Sequence, residues 1–143
     1  MPVRHLSSVT WSPMNQLLEP ITHRTTRWAG VELTPDDAGV TLVLAGRELA
    51  RLDDDGRLTV PTDTALRDQL LTDGFADRLP GRTDAVALSI RSDADVSAAM
   101  RLLRVAYVGA VSREGGVPFD HLRRLDGSSE LLSLLGLSGR RID

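Results

Sequence analysis

The chain contains no cysteine and no lysine. Without cysteine there is no disulfide, no thiol nucleophile and no Cys-ligated zinc or iron–sulfur site. Without lysine all 17 basic residues are arginine, which excludes a Schiff-base lysine, a lysine general base and a P-loop lysine. No stretch approaches the roughly 20 apolar residues of a membrane span, and the first residues lack the apolar core of a signal peptide. The expectation is a cytoplasmic protein with no membrane role. A Gly-x-Ser-x-Gly elbow, a Gly-x-Gly-x-x-Gly loop and a Walker sequence are all missing, so no nucleophile or phosphate cradle is assigned.

What is present is ordinary in amount and uneven in place. The 143 residues are 41% hydrophobic and 26% charged, the balance of one globular domain that needs no metal or disulfide to fold. The net charge of −3 divides into +2 over residues 1–29, −7 over 30–95 and +2 over 96–143. With a pI near 5.6, this distribution points away from unaided phosphate binding, so nucleic acid is not the expected partner.

The three histidines, His5, His23 and His121, make no helical His–His metal pair, and no metal site or cofactor is expected. The run Asp53-Asp54-Asp55-Gly56 fails the calcium-loop register, because Gly56 at the sixth place puts Arg51 where the first ligand belongs. It reads as a hairpin turn. No catalytic residue is assigned.

Residues 1–13 read as an extended arm. The spacing of Leu17, Leu18, Ile21 and Trp28 predicts a helix from Met14 to about Trp28, or one starting near Glu19 with Pro20 in its first turn. From Gly30 the period becomes two. Val31 and Leu33 form one strand, and Pro35-Asp36-Asp37-Ala38-Gly39 a turn. Val40, Leu42 and Leu44 then face one way in a second strand, with Thr41 and Val43 on the other side. Glu48–Leu52 and the stretch around Leu58 and Val60 complete an antiparallel meander, the links being too short for crossover helices. Pro61 ends this run. Asp63 caps a helix carrying Leu66 and Leu70, which stops at Gly74. Val86, Leu88 and Ile90 alternate as a further strand. Ser92 and Asp95 then open a helix to about Val111, with Val96, Met100, Leu103, Tyr107 and Ala110 inward. The fold class is α+β, a two-layer domain with an antiparallel sheet and helices on one face, spanning 14–111. Residues 112–143 form a C-terminal helical extension rich in leucine: Leu131, Leu132, Leu134, Leu135 and Leu137.

Five segments, taken in order, carry a resemblance. They are Trp28-Ala29-Gly30-Val31-Glu32-Leu33, Leu44-Ala45-Gly46-Arg47-Glu48-Leu49-Ala50, Leu66-Arg67-Asp68-Gln69-Leu70-Leu71, Arg91-Ser92-Asp93-Ala94-Asp95-Val96 and Leu102-Leu103-Arg104-Val105-Ala106-Tyr107. Together they resemble the luciferase-domain family, small bacterial proteins related to the domain of fungal luciferases. Element order has a weaker similarity to MmcQ/YjbR-like proteins. The resemblance implies a His-x-His pair after the Gly-Arg-Glu strand, but those places hold Arg51 and Asp53. It also implies a Pro-His-His segment before a Trp-bearing strand, where Asp77 to Ala85 has no histidine and Ala85 takes the Trp place.

The loss of those histidines and the leucine-rich tail predict a non-catalytic binding or assembly module on this scaffold. Leu131, Leu132, Leu134 and Leu135 are its candidate oligomerisation residues, with a homodimer through the C-terminal helix as the expected assembly. The alternative is a small-molecule enzyme of the cofactor-free oxygenase kind, using a pocket between sheet and helices. Arg51, Asp53 and Tyr107 are the candidate ligand-binding residues. DNA binding is the second alternative.

Overall fold

The computed structural model describes residues 16–113 together with Leu131, Leu134 and Leu135. The N-terminal arm, the Met14 helix start, His5, His121 and Leu132 lie outside the described residues. The elements run α1 (Glu19–Thr25), β1 (Val31–Asp36), β2 (Gly39–Leu44), β3 (Arg47–Asp53), β4 (Arg57–Pro61), α2 (Thr64–Thr72), β5 (Asp77–Arg78), β6 (Ala85–Ser89) and α3 (Asp93–Arg113). Six strands form one sheet in the order β1-β2-β3-β4-β6-β5, and every neighbouring pair is antiparallel. This is the expected α+β layout.

Helix α1 takes the later of the two expected starts, with Pro20 in its first turn, where a missing N–H costs nothing. It ends at Thr25, short of Trp28. The hydroxyls of Thr22, Thr25 and Thr26 donate to the carbonyls of Glu19, Ile21 and Thr22 at 3.0, 2.8 and 2.8 Å. A run of threonines bonding its own backbone competes with continued helix. Trp28 therefore lies in the turn beyond, its N–H on the Thr25 carbonyl at 3.0 Å.

The β1–β2 turn depends on Gly39. A Cβ there would lie 2.2 Å from the Leu52 carbonyl oxygen and 2.8 Å from Asp53 Cα, so only glycine lets β3 pair closely. Along β2, Val40, Leu42 and Leu44 are buried while Thr41 and Val43 are half-buried, as the alternation predicts. The β2–β3 ladder breaks register between Leu42 and Val43: Leu42 pairs Ala50, but Val43 pairs Glu48. Leu49 is thus the extra residue of a bulge, and Leu49 and Ala50 are both buried. A bulge re-aims one side chain against the alternation. Without it, Leu49 would face away from the core.

Helix α2 has the expected ends. The Leu66 N–H donates to Asp63 Oδ1 at 2.7 Å. At the other end Phe75 N–H reaches the Leu70 carbonyl and Gly74 N–H the Leu71 carbonyl, with Gly74 at φ +76. That is a Schellman close, which favours glycine at this place. Helix α3 begins as expected, with Asp95 N–H donating to Ser92 Oγ and Arg91 N–H to Asp95 Oδ2, and runs two residues past the expected end. Strand β5 is an addition that the sequence pattern does not show. Val86 of β6 and Ile90 just beyond its end enter the main core as expected, but Leu88 is only half-buried. Ala85 and Ala87 pack instead with Leu79 in a small second cluster.

One main core joins Leu18 and Ile21 of the α1 region with Val40, Leu42, Leu52, Leu58 and Val60 of the sheet, Leu70 of α2, and Leu102, Leu103 and Val108 of α3. Leu131 and Leu135 complete it. All three helices serve this one layer. The arrangement leaves Thr41, Val43, Arg51 and Asp53 on the opposite face of the sheet.

Candidate functional site

The two-layer contact is not filled everywhere. Between the sheet and helices α2 and α3 lies an open cleft of about 330 Å³, at the lower end of the range of small-molecule sites. Its floor is Leu44 of β2, Leu49 of β3 and Val60 of β4. One wall is Leu66 and Leu70 of α2; the other is Leu102, Val105, Ala106, Gly109 and Ala110 of α3. Three of those five α3 residues carry no side chain beyond Cβ. Where α3 crosses the sheet there, nothing reaches across to close the gap. The bulge contributes as well, since it turns Leu49 into the floor.

The rim is polar. Arg47 and Glu48 start β3; because β4 runs antiparallel to β3, its end at Pro61, with Thr62 and Asp63, comes to the same side of the sheet. Arg113 closes the α3 side. Its Nη1 lies 3.6 Å from the place a Gly109 Cβ would occupy, so the side chain folds back along its own helix. The Asp63 carboxylate is committed to the α2 cap. The Thr62 Oγ1 is buried with no hydrogen-bond partner among the described residues, an uncommon state for a polar atom.

Of the residues that the sequence singled out, Arg51 and Asp53 come together and Tyr107 stands apart. Arg51 Nη1 donates to Asp36 Oδ2 at 2.6 Å and to Thr41 Oγ1 at 3.2 Å, its Nη2 to Asp36 Oδ1 at 2.9 Å, and its Nε to Asp53 Oδ1 at 2.8 Å. Asp36 is held well below the ordinary carboxylate range by the Arg51 guanidinium and by the Ala38 N–H. Arg51 is raised in turn by Asp36 and then Asp53. This network sits on the sheet face away from the helices. Tyr107 is buried on α3, its hydroxyl donating to the Ala29 carbonyl at 2.7 Å and its ring 5.1 Å from that of Trp28. Burial pushes its phenol up. None of the three lines the cleft.

Of the tail leucines, Leu131 and Leu135 are buried in the chain's own core, and Leu134 is 44% exposed. Gly109 packs against Leu135, whose Cδ2 would lie 2.9 Å from an added Cβ. His23 is exposed on α1. Among the described residues no three His, Cys, Asp or Glu side chains gather as a metal site requires, and no helix is long and apolar enough to cross a membrane.

The enzyme alternative expected a pocket between sheet and helices, but the sequence did not pick out its lining residues, because they read as ordinary core. Two signals were there to find. The pair Leu49-Ala50 breaks the alternation of β3, and Ala106, Gly109 and Ala110 set small side chains at i, i+3 and i+4 on one helix face.

Comparison with known proteins gives one match. Residues 46–106 match the family model described as Luciferase domain, a narrower span than the Trp28 to Tyr107 of the segments that carry the resemblance. No curated protein and no solved structure matches the chain. The matched span runs from the β2–β3 turn into α3, and every cleft residue except Leu44, Gly109, Ala110 and Arg113 lies within it.

Proposed function

Residues 46–106 match the family model described as Luciferase domain, and we propose that the chain uses that domain as a non-catalytic binding module for a small, largely apolar molecule. The observation that carries the reading is the cleft: an apolar floor and walls, a polar rim, and a lining drawn mostly from the matched segment. Pockets of this make-up bind by burying an apolar body while a few polar groups at the mouth fix its orientation. A cytoplasmic setting belongs to the same proposal; no helix among the described residues is long and apolar enough to cross a membrane.

Native mass spectrometry of freshly purified protein tests it. A non-peptide mass that is lost on denaturation, and is absent from an Ala106→Phe variant that still folds, is the expected result. Protein that retains no such mass, and shows no thermal shift with any of a panel of apolar compounds, overturns it. A bound compound recovered chemically altered would replace the binding reading with the enzyme alternative.

A second reading, assembly, has one observation in its favour. Leu134 is an exposed large hydrophobic residue in the leucine-rich tail. Sedimentation of the intact chain, compared with Leu134→Ser, is expected to show a dimer that the substitution weakens. A monomer at all concentrations ends that reading and leaves the cleft untouched.

A further inference from the structure

We propose that the occupant of the cleft is an apolar monocarboxylic acid, its chain against Leu49, Val60 and Ala106 and its carboxylate at the mouth beside Arg47, Arg113 and Thr62. This rests on the binding reading and adds the chemistry of the head group.

The rim carries two arginines and two acids, so its formal charges balance. Asp63 is bound into the α2 cap by the Leu66 N–H, at the helix end that itself favours negative charge. Arg47 and Arg113 form no ion pair with any described residue, since the described pairs engage Arg51, Arg67 and Arg82. Arg113 also folds back over Gly109, along the wall of the cleft. The mouth therefore presents two guanidiniums that no described carboxylate holds, where an anionic head group would find partners.

Thr62 supplies the third element. Its hydroxyl has no hydrogen-bond partner among the described residues, and the residue lines the cleft. A carboxylate there gives it an acceptor, and charge-assisted hydrogen bonds are roughly twice as strong as neutral ones. A bare hydrocarbon would leave the hydroxyl and both guanidiniums without partners from the ligand. An alcohol would satisfy Thr62 alone.

The experiment is calorimetric titration of octanoate and of 1-octanol into the full chain, at low and high salt. Each is repeated with Arg47→Gln, Arg113→Gln, Thr62→Val and the cleft-filling Ala110→Leu, and circular dichroism checks that every variant folds. Octanoate is expected to bind about tenfold or more tightly than octanol, with an advantage that shrinks as salt is raised. Either arginine substitution weakens octanoate several-fold and leaves octanol unchanged. Thr62→Val weakens octanoate by about tenfold, and Ala110→Leu weakens both probes. Octanol binding as tightly as octanoate, or octanoate binding that ignores both arginines, overturns the carboxylate assignment while the cleft reading stands. Binding of neither probe, or binding that Ala110→Leu does not touch, overturns both.

Discussion

Strand β3 presents two chemistries on two faces, and they behave oppositely. On the open face Arg51 is held by Asp36, Asp53 and Thr41, so its donors are spoken for within the chain. On the helix-covered face the same strand gives Leu52 and Ala50 to the core and, through the bulge, Leu49 to the cleft. The residues that look most like chemistry are the ones already satisfied. The place with room for a ligand is built from leucines, valines, alanines and a glycine, with its polar groups at the mouth.

That contrast can be tested residue by residue. The largest effect is expected from Leu52→Ala. Leu52 is fully buried, and removing such a side chain costs about 2–5 kcal/mol in transfer and cavity terms together; urea denaturation measures it. Its neighbour Arg51→Ala, on the open face, should cost no more than about 1 kcal/mol. A loss equal to that of Leu52→Ala would erase the distinction between the faces.

Tyr107→Phe is comparable to Arg51→Ala. It removes the hydrogen bond to the Ala29 carbonyl while keeping the ring against Trp28, for a loss of about 1 kcal/mol. It should not change octanoate binding, because Tyr107 is outside the cleft.

Smaller again is a pH effect confined to acid. The carboxylate of Asp36 binds a proton less readily in the folded chain than its ordinary value near 3.8. Its contribution is therefore present above that value and is lost as pH falls through the lowered one. Asp36→Asn should flatten the fall in stability on acidification and change little at neutral pH. An unchanged acid limb in denaturation profiles would show that Arg51 does not hold this group in solution.

The smallest effect is expected from Gly109→Ala. Alanine favours helix over glycine by about 1 kcal/mol, and the nearest of the described neighbours is the flexible tip of Leu135. Thermal unfolding should shift little. A large loss would mean that Leu135 cannot move and that the tail is fixed tightly to α3.

Much of the fold was legible because it is written in local rules. Asp63 and Ser92 mark helix starts, Gly74 marks a stop, and the alternation of Val40, Leu42 and Leu44 survives intact. Strand β5 was not legible, since two exposed residues, Asp77 and Arg78, carry no pattern and pair only because β6 is there. The candidate site was less legible still. Arg51 and Asp53 drew attention through the residues that the family resemblance led one to expect at those places, yet alternation alone sends both away from the helix layer once Leu52 is placed in the core. The cleft depends on which small residues of α3 lie over which strand, a contact between segments some fifty residues apart, and no local rule reports it.

The two rims of the sheet have a consequence for how the molecule behaves in a crowd. An exposed strand edge invites another strand to add to it, and sheets so extended grow into aggregates. Here one rim is β5, only two residues long and too short to template anything. The other is β1, whose outer half, Thr34-Pro35-Asp36, is exposed and contains a residue with no N–H to offer. Both borders are poor starting points for growth, so this small sheet is guarded against polymerising through its own backbone.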